Sequence, residues 1–250
     1  MSSLDIPWLA HDSPFPAPET ALGADSGMAG LLAAGGNLSP QRLVLAYEQG
    51  IFPWFSKGQP ILWWSTDPRM VLHVDEFKLH RSLKKTLKTF IHSPECDIRI
   101  DHDFSQVIRR CAGIKRSGQP GTWILPEMVL AYEALHQAGF AHSVETWIQG
   151  QMVGGLYCVA LGGAVFGESM FALQPDASKI ALSALVAFCR QHHIPMIDCQ
   201  QNTRHLASLG AREIARSDFL GHLRNQRQRQ APTWDFKSIY WSQVLPTHPL

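Results

Sequence analysis

The order of periodic runs in this 250-residue chain predicts an α+β fold. Three observations carry that expectation. Pro126–Ala138 has a helical stripe, with Met128, Ala131, Tyr132 and Leu135 at i, i+3, i+4 and i+7. Three strand-like runs follow, His142–Ile148, Met152–Ala160 and Ala164–Phe171, separated by the turn signals Gln149-Gly150 and Gly162-Gly163. Helix and strand then alternate to a last helix opened by Ser217.

Residues 1–27 carry Pro, Gly and Ser and read as an extended lead-in. Ser39 is the expected N-cap of a helix with Pro40 at its first position, which Gly50 stops. A Trp-rich run without period follows. After Asp67-Pro68-Arg69 the pattern changes to a strand, Met70–Val74, and a domain boundary is placed there. A helix over His80–Phe90, a short strand at Ile98–Ile100 and a helix over Phe104–Cys111 come next. Beyond the three strands, Pro175-Asp176 opens a helix to about His192, with Ala181, Ala184, Leu185, Phe188 and Cys189 inward. Met196–Cys199 is a buried strand, Thr203–Leu209 a helix closed by Gly210, and Ala211–Ala215 a strand. The succession matches the acetyltransferase (GNAT) fold, an analogy that leaves the substrate open. Three regions result: a small α+β domain over 1–69, a GNAT-like catalytic domain over 70–234, and a tail over 235–250.

Bulk properties narrow the class of function. With 45% hydrophobic and 17% charged residues the chain can bury a good core. A net charge of +1 means that any nucleic-acid contact must come from a local patch. Neither a signal peptide nor a membrane span is evident. Five scattered Cys without C-x-x-C spacing fit reduced thiols in a cytoplasmic protein. The twelve His show no metal-ligand spacing, so neither a metal nor a cofactor is expected. No association helix stands out, and a monomer is expected.

Four constellations point to chemistry. Phe52, Trp54, Phe55, Trp63 and Trp64 crowd a segment rich in Pro and Gly, and read as a flat aromatic platform suited to nucleobases or apolar groups. Arg81, Lys84, Lys85 and Lys88 share one helix face with no acidic partner, repelling one another by about 0.2–0.5 kcal/mol per pair. A polyanion would relieve that strain. Glu168 stands in an apolar strand, where a carboxylate is costly unless paired or used; alternation puts it on one face with Met170, and Gly167, Ser169 and Phe171 on the other. Asp198 and Gln200 end a strand on one face, while Cys199 between them is read as a core thiol pointing away.

These motifs together resemble the bacterial leucyl/phenylalanyl-tRNA–protein transferases. The matching runs are Gly30–Ser39, Gly50-Ile-Phe-Pro-Trp-Phe55, Ile61-Leu-Trp-Trp-Ser65 with Asp67-Pro-Arg69, Gly121-Thr-Trp-Ile124, His142-Ser-Val-Glu145, Gly167-Glu-Ser-Met-Phe171, Asp198-Cys-Gln200 and Ala207–Ala211. The resemblance implies transfer of Leu or Phe, with Met as a further substrate, from aminoacyl-tRNA to the N-terminal Arg or Lys of an acceptor protein. The product is marked for degradation. It also implies a small N-terminal domain packed on a GNAT-like one. By motif, Trp54 and Trp123 contact the terminal adenosine, with Tyr47 and Tyr132 nearby. Leu156, Met170, Leu182, Leu185 and Ile197 line the aminoacyl pocket, and Glu168 binds an amino group. Asp198 and Gln200 form the catalytic pair, and Arg81, Lys84, Lys85 and Lys88 bind tRNA. Leu156, Val165 and Leu185 stand where the resemblance leads one to expect other, often larger, residues.

Aminolysis of an activated ester needs no covalent intermediate, because an α-amine of pKa about 7.7–8.0 is partly neutral at pH 7. This agrees with the absence of a Ser/His/Asp or Cys/His set. An acyl-CoA N-acetyltransferase would need a Gly-rich turn to cradle pyrophosphate. Ala172–Ser178 has no Gly there and carries Asp176. A non-catalytic tRNA- or peptide-binding protein would leave Glu168, Asp198 and Gln200 unexplained.

Overall fold

The computed structural model describes residues 6–114 and 124–245. Among them, two sheets organise the chain. The smaller contains β1 (Trp8–Leu9), β2 (Leu31–Gly35), β3 (Phe52–Pro53) and β4 (Leu62–Trp64) in the order β1-β2-β4-β3, with α1 (Pro40–Glu48) inserted between β2 and β3. The larger is built from β5 (Arg69–His73), β6 (Cys96–Ile100), β7 (Ala141–Ile148), β8 (Gln151–Leu161), β9 (Ala164–Ala172), β10 (Met196–Gln200) and β11 (Arg212–Ile214). Its order is β11-β5-β10-β9-β8-β7-β6, with every neighbouring pair antiparallel except β9 and β10. Around it lie α2 (Arg81–His92), α3 (Phe104–Gly113), α4 (Pro126–Gln137), α5 (Ala177–Gln191), α6 (Arg204–Ser208) and α7 (Arg216–Gln226). From α4 onward the element order, helix, three antiparallel strands, helix, strand, helix, strand, is the α+β succession that the sequence predicts.

Strand alternation divides the core in two. Tyr157, Val159 and Leu161 of β8 join one cluster with Trp63, Tyr132 and Phe166, whereas Leu156, Cys158 and Ala160 join another with Leu87, Leu185 and Phe188. In β5, Val71 belongs to the first, and Met70 and Leu72 to the second. The period of two therefore places α1, α3, α4 and the small sheet over one face, and α2 and α5 over the other. Helix α5 is buried nearly all round, beyond the inner face expected of it. The C-terminal segment is the reason. Trp234 stacks on Phe188 at 4.6 Å and on His142 at 4.0 Å, and a 3₁₀ turn over Ser238–Gln243 buries Tyr240 and Trp241 against the same cluster. The residues from Asp235 to Leu245 thus pack on the domain instead of trailing from it.

Capping agrees with the sequence at α1, where the Ser39 hydroxyl accepts from the Arg42 N–H at 3.3 Å; at α6, Thr203, expected inside the helix, is its N-cap and accepts from the Leu206 N–H. At α7 the expectation fails. The helix opens at Arg216, ahead of Ser217, and the Arg216 N–H donates to Asp67 Oδ1 at 3.1 Å. A carboxylate brought from a distant segment satisfies the free N–H and complements the helix dipole, which leaves Ser217 no capping role.

The Trp-rich segment is also more regular than its sequence suggests. Phe52–Pro53 and Leu62–Trp64 are paired strands, and Phe52, Phe55, Trp63 and Trp64 are buried. Instead of an open platform, the rings make a core with one half-buried member, Trp54. The tight contact of α5 with β8 gives a direct test. A Cβ on Gly154 would lie 2.5 Å from Ala177 Cβ. Gly154→Ala is expected to destabilise the protein by about 1–3 kcal/mol, read as a lower urea midpoint with an unchanged m value.

Candidate active site

The parallel strands β9 and β10 pair only at Val165↔Ile197 and Phe166↔Asp198, and then part. Both slip register against their other neighbours at this point. In β9, Gly167 and Ser169 face the adjacent residues Cys158 and Tyr157 of β8, so Glu168 is an extra residue. In β10, Asp198 and Gln200 face the adjacent residues Val71 and Met70 of β5, so Cys199 is extra. Such bulges re-aim side chains. They overturn the alternation expected at both sites: Gly167, Glu168, Ser169 and Met170 all line one cavity, and Cys199 turns into it beside Gln200.

The cavity has a volume of about 360 Å³. Leu156, Met170, Leu182, Leu185 and Ile197 make it apolar, and Phe52, Pro53 and Trp54 form the wall contributed by the small sheet. The five residues that the resemblance implied for an aminoacyl pocket are therefore brought together. Gln201, Thr203, His205 and Leu206 also line it; none was expected as a site residue, because only the fold returns α6 to β10.

Glu168 is the carboxylate of this cavity. Its Oε1 accepts from the Tyr47 hydroxyl at 2.7 Å and from Gln200 Nε2 at 3.0 Å, and its Oε2 accepts from the Tyr132 hydroxyl at 3.4 Å. Tyr47 and Tyr132 are fully buried and hydrogen-bonded to each other. They do not line the cavity; they hold Glu168 from beneath. Burial raises the Glu168 pKa to about 7, and the nearby Asp198 charge acts in the same direction; the phenol hydrogen bonds and Arg69 oppose it. Both phenols are pushed well above the usual tyrosine range, first by burial and then by the Glu168 charge, so they remain donors.

Asp198 and Gln200 are adjacent but differently placed. Asp198 is buried and forms a bidentate pair with Arg69, Nε to Oδ1 at 2.8 Å and Nη2 to Oδ2 at 2.7 Å. It also accepts the Gln200 N–H at 3.0 Å. Gln200 lines the cavity, while Asp198 lies behind it. Arg69 is the residue that sequence reasoning missed as a site member. A cation in the apolar strand Arg-Met-Val-Leu was a signal that a buried carboxylate waits elsewhere. Cys199 is unactivated: burial, and then the Asp198 charge, push its thiol pKa upward.

Arg81, Lys84, Lys85 and Lys88 are exposed on α2 and form no ion pair among the described residues. The N-cap residue of this helix, His80, bonds the Ser208 carbonyl through Nε2 at 2.6 Å. Through Ser208 the N-terminal end of the basic helix touches α6, whose His205 and Leu206 belong to the cavity lining; no α2 residue lines the cavity itself. Trp123 lies outside the described residues.

The description "Leucyl/phenylalanyl-tRNA protein transferase" matches residues 71–224, and that of its N-terminal domain matches residues 36–67. The chain belongs to the leucyl/phenylalanyl-tRNA–protein transferase family. A relative of that name from Polaromonas sp. (strain JS666 / ATCC BAA-500) is 61% identical, covering 98% of this chain and 97% of its own length. Another from Leptothrix cholodnii (strain ATCC 51168 / LMG 8142 / SP-6) is 57% identical over 96% and 95%. Among solved structures, FemX aligns at 10% identity over 70% of this chain and 66% of its own, with a TM-score of 0.43. The sequence relationship therefore carries the assignment, which makes the chain an aminoacyltransferase.

The Glu168 environment has a measurable consequence. A carboxylate whose pKa is raised on folding from 4.5 to about 7 favours the folded state at low pH and loses that contribution as pH rises through this window. Glu168→Gln is expected to gain on wild type by up to about 3 kcal/mol between pH 4.5 and 8, measured by urea unfolding across that range. An unchanged difference would show that Glu168 titrates as an ordinary exposed carboxyl group.

Proposed function

We propose that the cavity between β9 and β10 holds the aminoacyl end of Leu- or Phe-tRNA while the N-terminal amine of an Arg- or Lys-starting protein attacks its ester. One observation supports this reading above the others: an apolar cavity is closed by a carboxylate–amide couple, and a basic helix without ion pairs among the described residues touches α6, which supplies part of the lining. Leu156, Met170, Leu182, Leu185 and Ile197 enclose the Leu or Phe side chain, and Met fits the same unbranched shape. Apolar pockets discriminate by about 1–3 kcal/mol per methylene, enough to disfavour β-branched Val and Ile. Trp54 stacks on the terminal adenosine, and the α2 cations take the tRNA phosphates.

Gln200 is well placed to orient the nucleophile. Its backbone N–H is held by Asp198, its carbonyl by the Thr66 hydroxyl at 2.9 Å, and its Nε2 by Glu168. Oε1 has no partner among the described residues and accepts a hydrogen bond from the attacking amine. Glu168 binds an amino group in the site. The nitrogen forms the new amide bond, the ester C–O bond breaks, and the tRNA 3′ oxygen leaves with a proton passed through the adjacent 2′-hydroxyl. Holding ester and amine together contributes roughly 7–11 kcal/mol, so positioning outweighs proton transfer. The reaction belongs in the cytoplasm, where aminoacyl-tRNA is made and where five unpaired thiols persist.

Acetyl-CoA chemistry is disfavoured at the start of α5. Asp176 occupies the N-cap, with Lys179 Nζ at 2.8 Å on Oδ1 and the Thr86 hydroxyl at 3.3 Å on Oδ2, so an incoming pyrophosphate meets a carboxylate.

Labelled Phe-tRNA incubated with an Arg-starting peptide tests the reading. Peptide labelling is expected, and labelling that requires acetyl-CoA, or binding without turnover, would refute it. Gln200→Ala and Asp198→Ala are each expected to lower kcat by about 100-fold. Retention of turnover within a few-fold in both would remove them from the site. Replacing Lys84, Lys85 and Lys88 with Gln is expected to flatten the log–log salt dependence of tRNA binding by about 0.7–0.9 for each phosphate no longer neutralised. An unaltered slope would place the tRNA elsewhere.

A further inference from the structure

We propose that Arg69 is a positioning residue for the transfer reaction, tying the amide that orients the nucleophile to the opposite wall of the cavity. The inference rests on the aminoacyl-transfer reading above. Arg69 is fully buried, and its guanidinium makes three hydrogen bonds to two separate segments. Nε and Nη2 grip both oxygens of Asp198, and Nη1 donates to the Gly50 carbonyl at 3.1 Å. The planar cation lies near the Phe52 ring, 4.8 Å from its centroid, and near Phe219 at 4.5 Å.

Each of these interactions leads to the cavity. Asp198, gripped on both oxygens, accepts the N–H of Gln200, a residue with φ of 55° at the end of β10. A non-glycine residue in that conformation needs its backbone held from outside. The Asp198 carboxylate and the Thr66 hydroxyl hold it, and the Gln200 side chain meets Glu168 as a result. Gly50, with φ of 72°, starts the turn into Phe52, Pro53 and Trp54, which form the facing wall. Its carbonyl reaches Arg69 because the turn is pressed on α7, where a Cβ would sit 2.6 Å from Leu220 Cδ2. Asp198 in this arrangement is committed as an acceptor: one Arg N–H and the Gln200 N–H fall on Oδ1, and a second Arg N–H on Oδ2. It orients, and a proton from the acceptor amine goes elsewhere.

Lysine supplies the charge without the fork, so it cannot satisfy both Asp198 oxygens and Gly50 together. The test compares wild type with Arg69→Lys and with the uncharged pair Arg69→Gln/Asp198→Asn, which leaves no lone buried ion. Folding is checked by circular dichroism and thermal unfolding. Rates are measured with Phe-tRNA and an Arg-starting peptide. Folded variants are expected to lose about 100-fold in kcat, while KM for Phe-tRNA, set largely by α2, stays within about 3-fold. A folded Arg69→Lys enzyme with kcat within about 3-fold of wild type would overturn the proposal. A rise in KM for Phe-tRNA parallel to the loss in kcat would overturn it as well, since a general loosening of the fold has that signature. If Arg69→Lys does not fold, the uncharged pair is compared with Asp198→Asn alone. A loss within about 3-fold of that single variant is expected, since Arg69 acts through Asp198, and a pair that retains wild-type kcat or falls a further ~10-fold would overturn the proposal. Failure of wild type itself to label the peptide would instead refute the aminoacyl-transfer reading.

Discussion

A guanidinium sealed from water between two phenyl rings sets the geometry on which the cavity depends. Removing Arg69 and Asp198 from water costs several kcal/mol per ion, and attraction in the interior repays this only with good geometry and complete hydrogen bonding. Here Nε, Nη1 and Nη2 each have an acceptor, and both carboxylate oxygens accept at least one N–H. The pair is weak evidence for stability and stronger evidence for specificity of placement. It joins β5, the bulged end of β10 and the turn at Gly50, three segments far apart in sequence.

Around this anchor, the two negative groups of the site have unlike environments. Asp198 faces a fixed cation and stays a structural acceptor. Glu168 faces two phenols and an amide, all neutral, so burial dominates and its pKa rises to about 7. One carboxylate therefore positions while the other responds to what enters the cavity. A cationic amine arriving beside Glu168 supplies the charge that its surroundings lack, and would favour the ionised form. In the proposed reaction, binding of an amino group there would be coupled to ionisation of Glu168.

The divergence of β9 and β10 creates the space in which this happens. Parallel strands that pair at only two positions leave backbone and side chains free beyond them, and the bulges at Glu168 and Cys199 turn these residues inward. The apolar floor comes from α5 and the larger sheet, the aromatic wall from the smaller sheet, and the remaining lining from α6 and the residues just before it. Each layer contributes one property to the site, and the C-terminal segment fixes α5 by covering its outer side with Trp234, Tyr240 and Trp241.

Local sequence determined the elements, because helix and strand period, Ser39 with Pro40, and the turn pairs at Gln149-Gly150 and Gly162-Gly163 act over a few residues. The basic face of α2 was legible for the same reason, whereas the apolar pocket residues came from the family resemblance and not from their period. What alternation could not reveal was the facing of Glu168, Ser169, Cys199 and Gln200, since a bulge shifts a strand by one residue and depends on the neighbouring strand. Nor could it reveal that most of the Trp cluster is core, that Asp67 caps α7, or that Tyr47 and Tyr132 meet beneath Glu168. Those outcomes need partners 36 to 149 residues away. The tertiary structure alone paired Arg69 with Asp198, because a buried charge selects its counterion by proximity in space, a quantity that a linear order of residues does not contain.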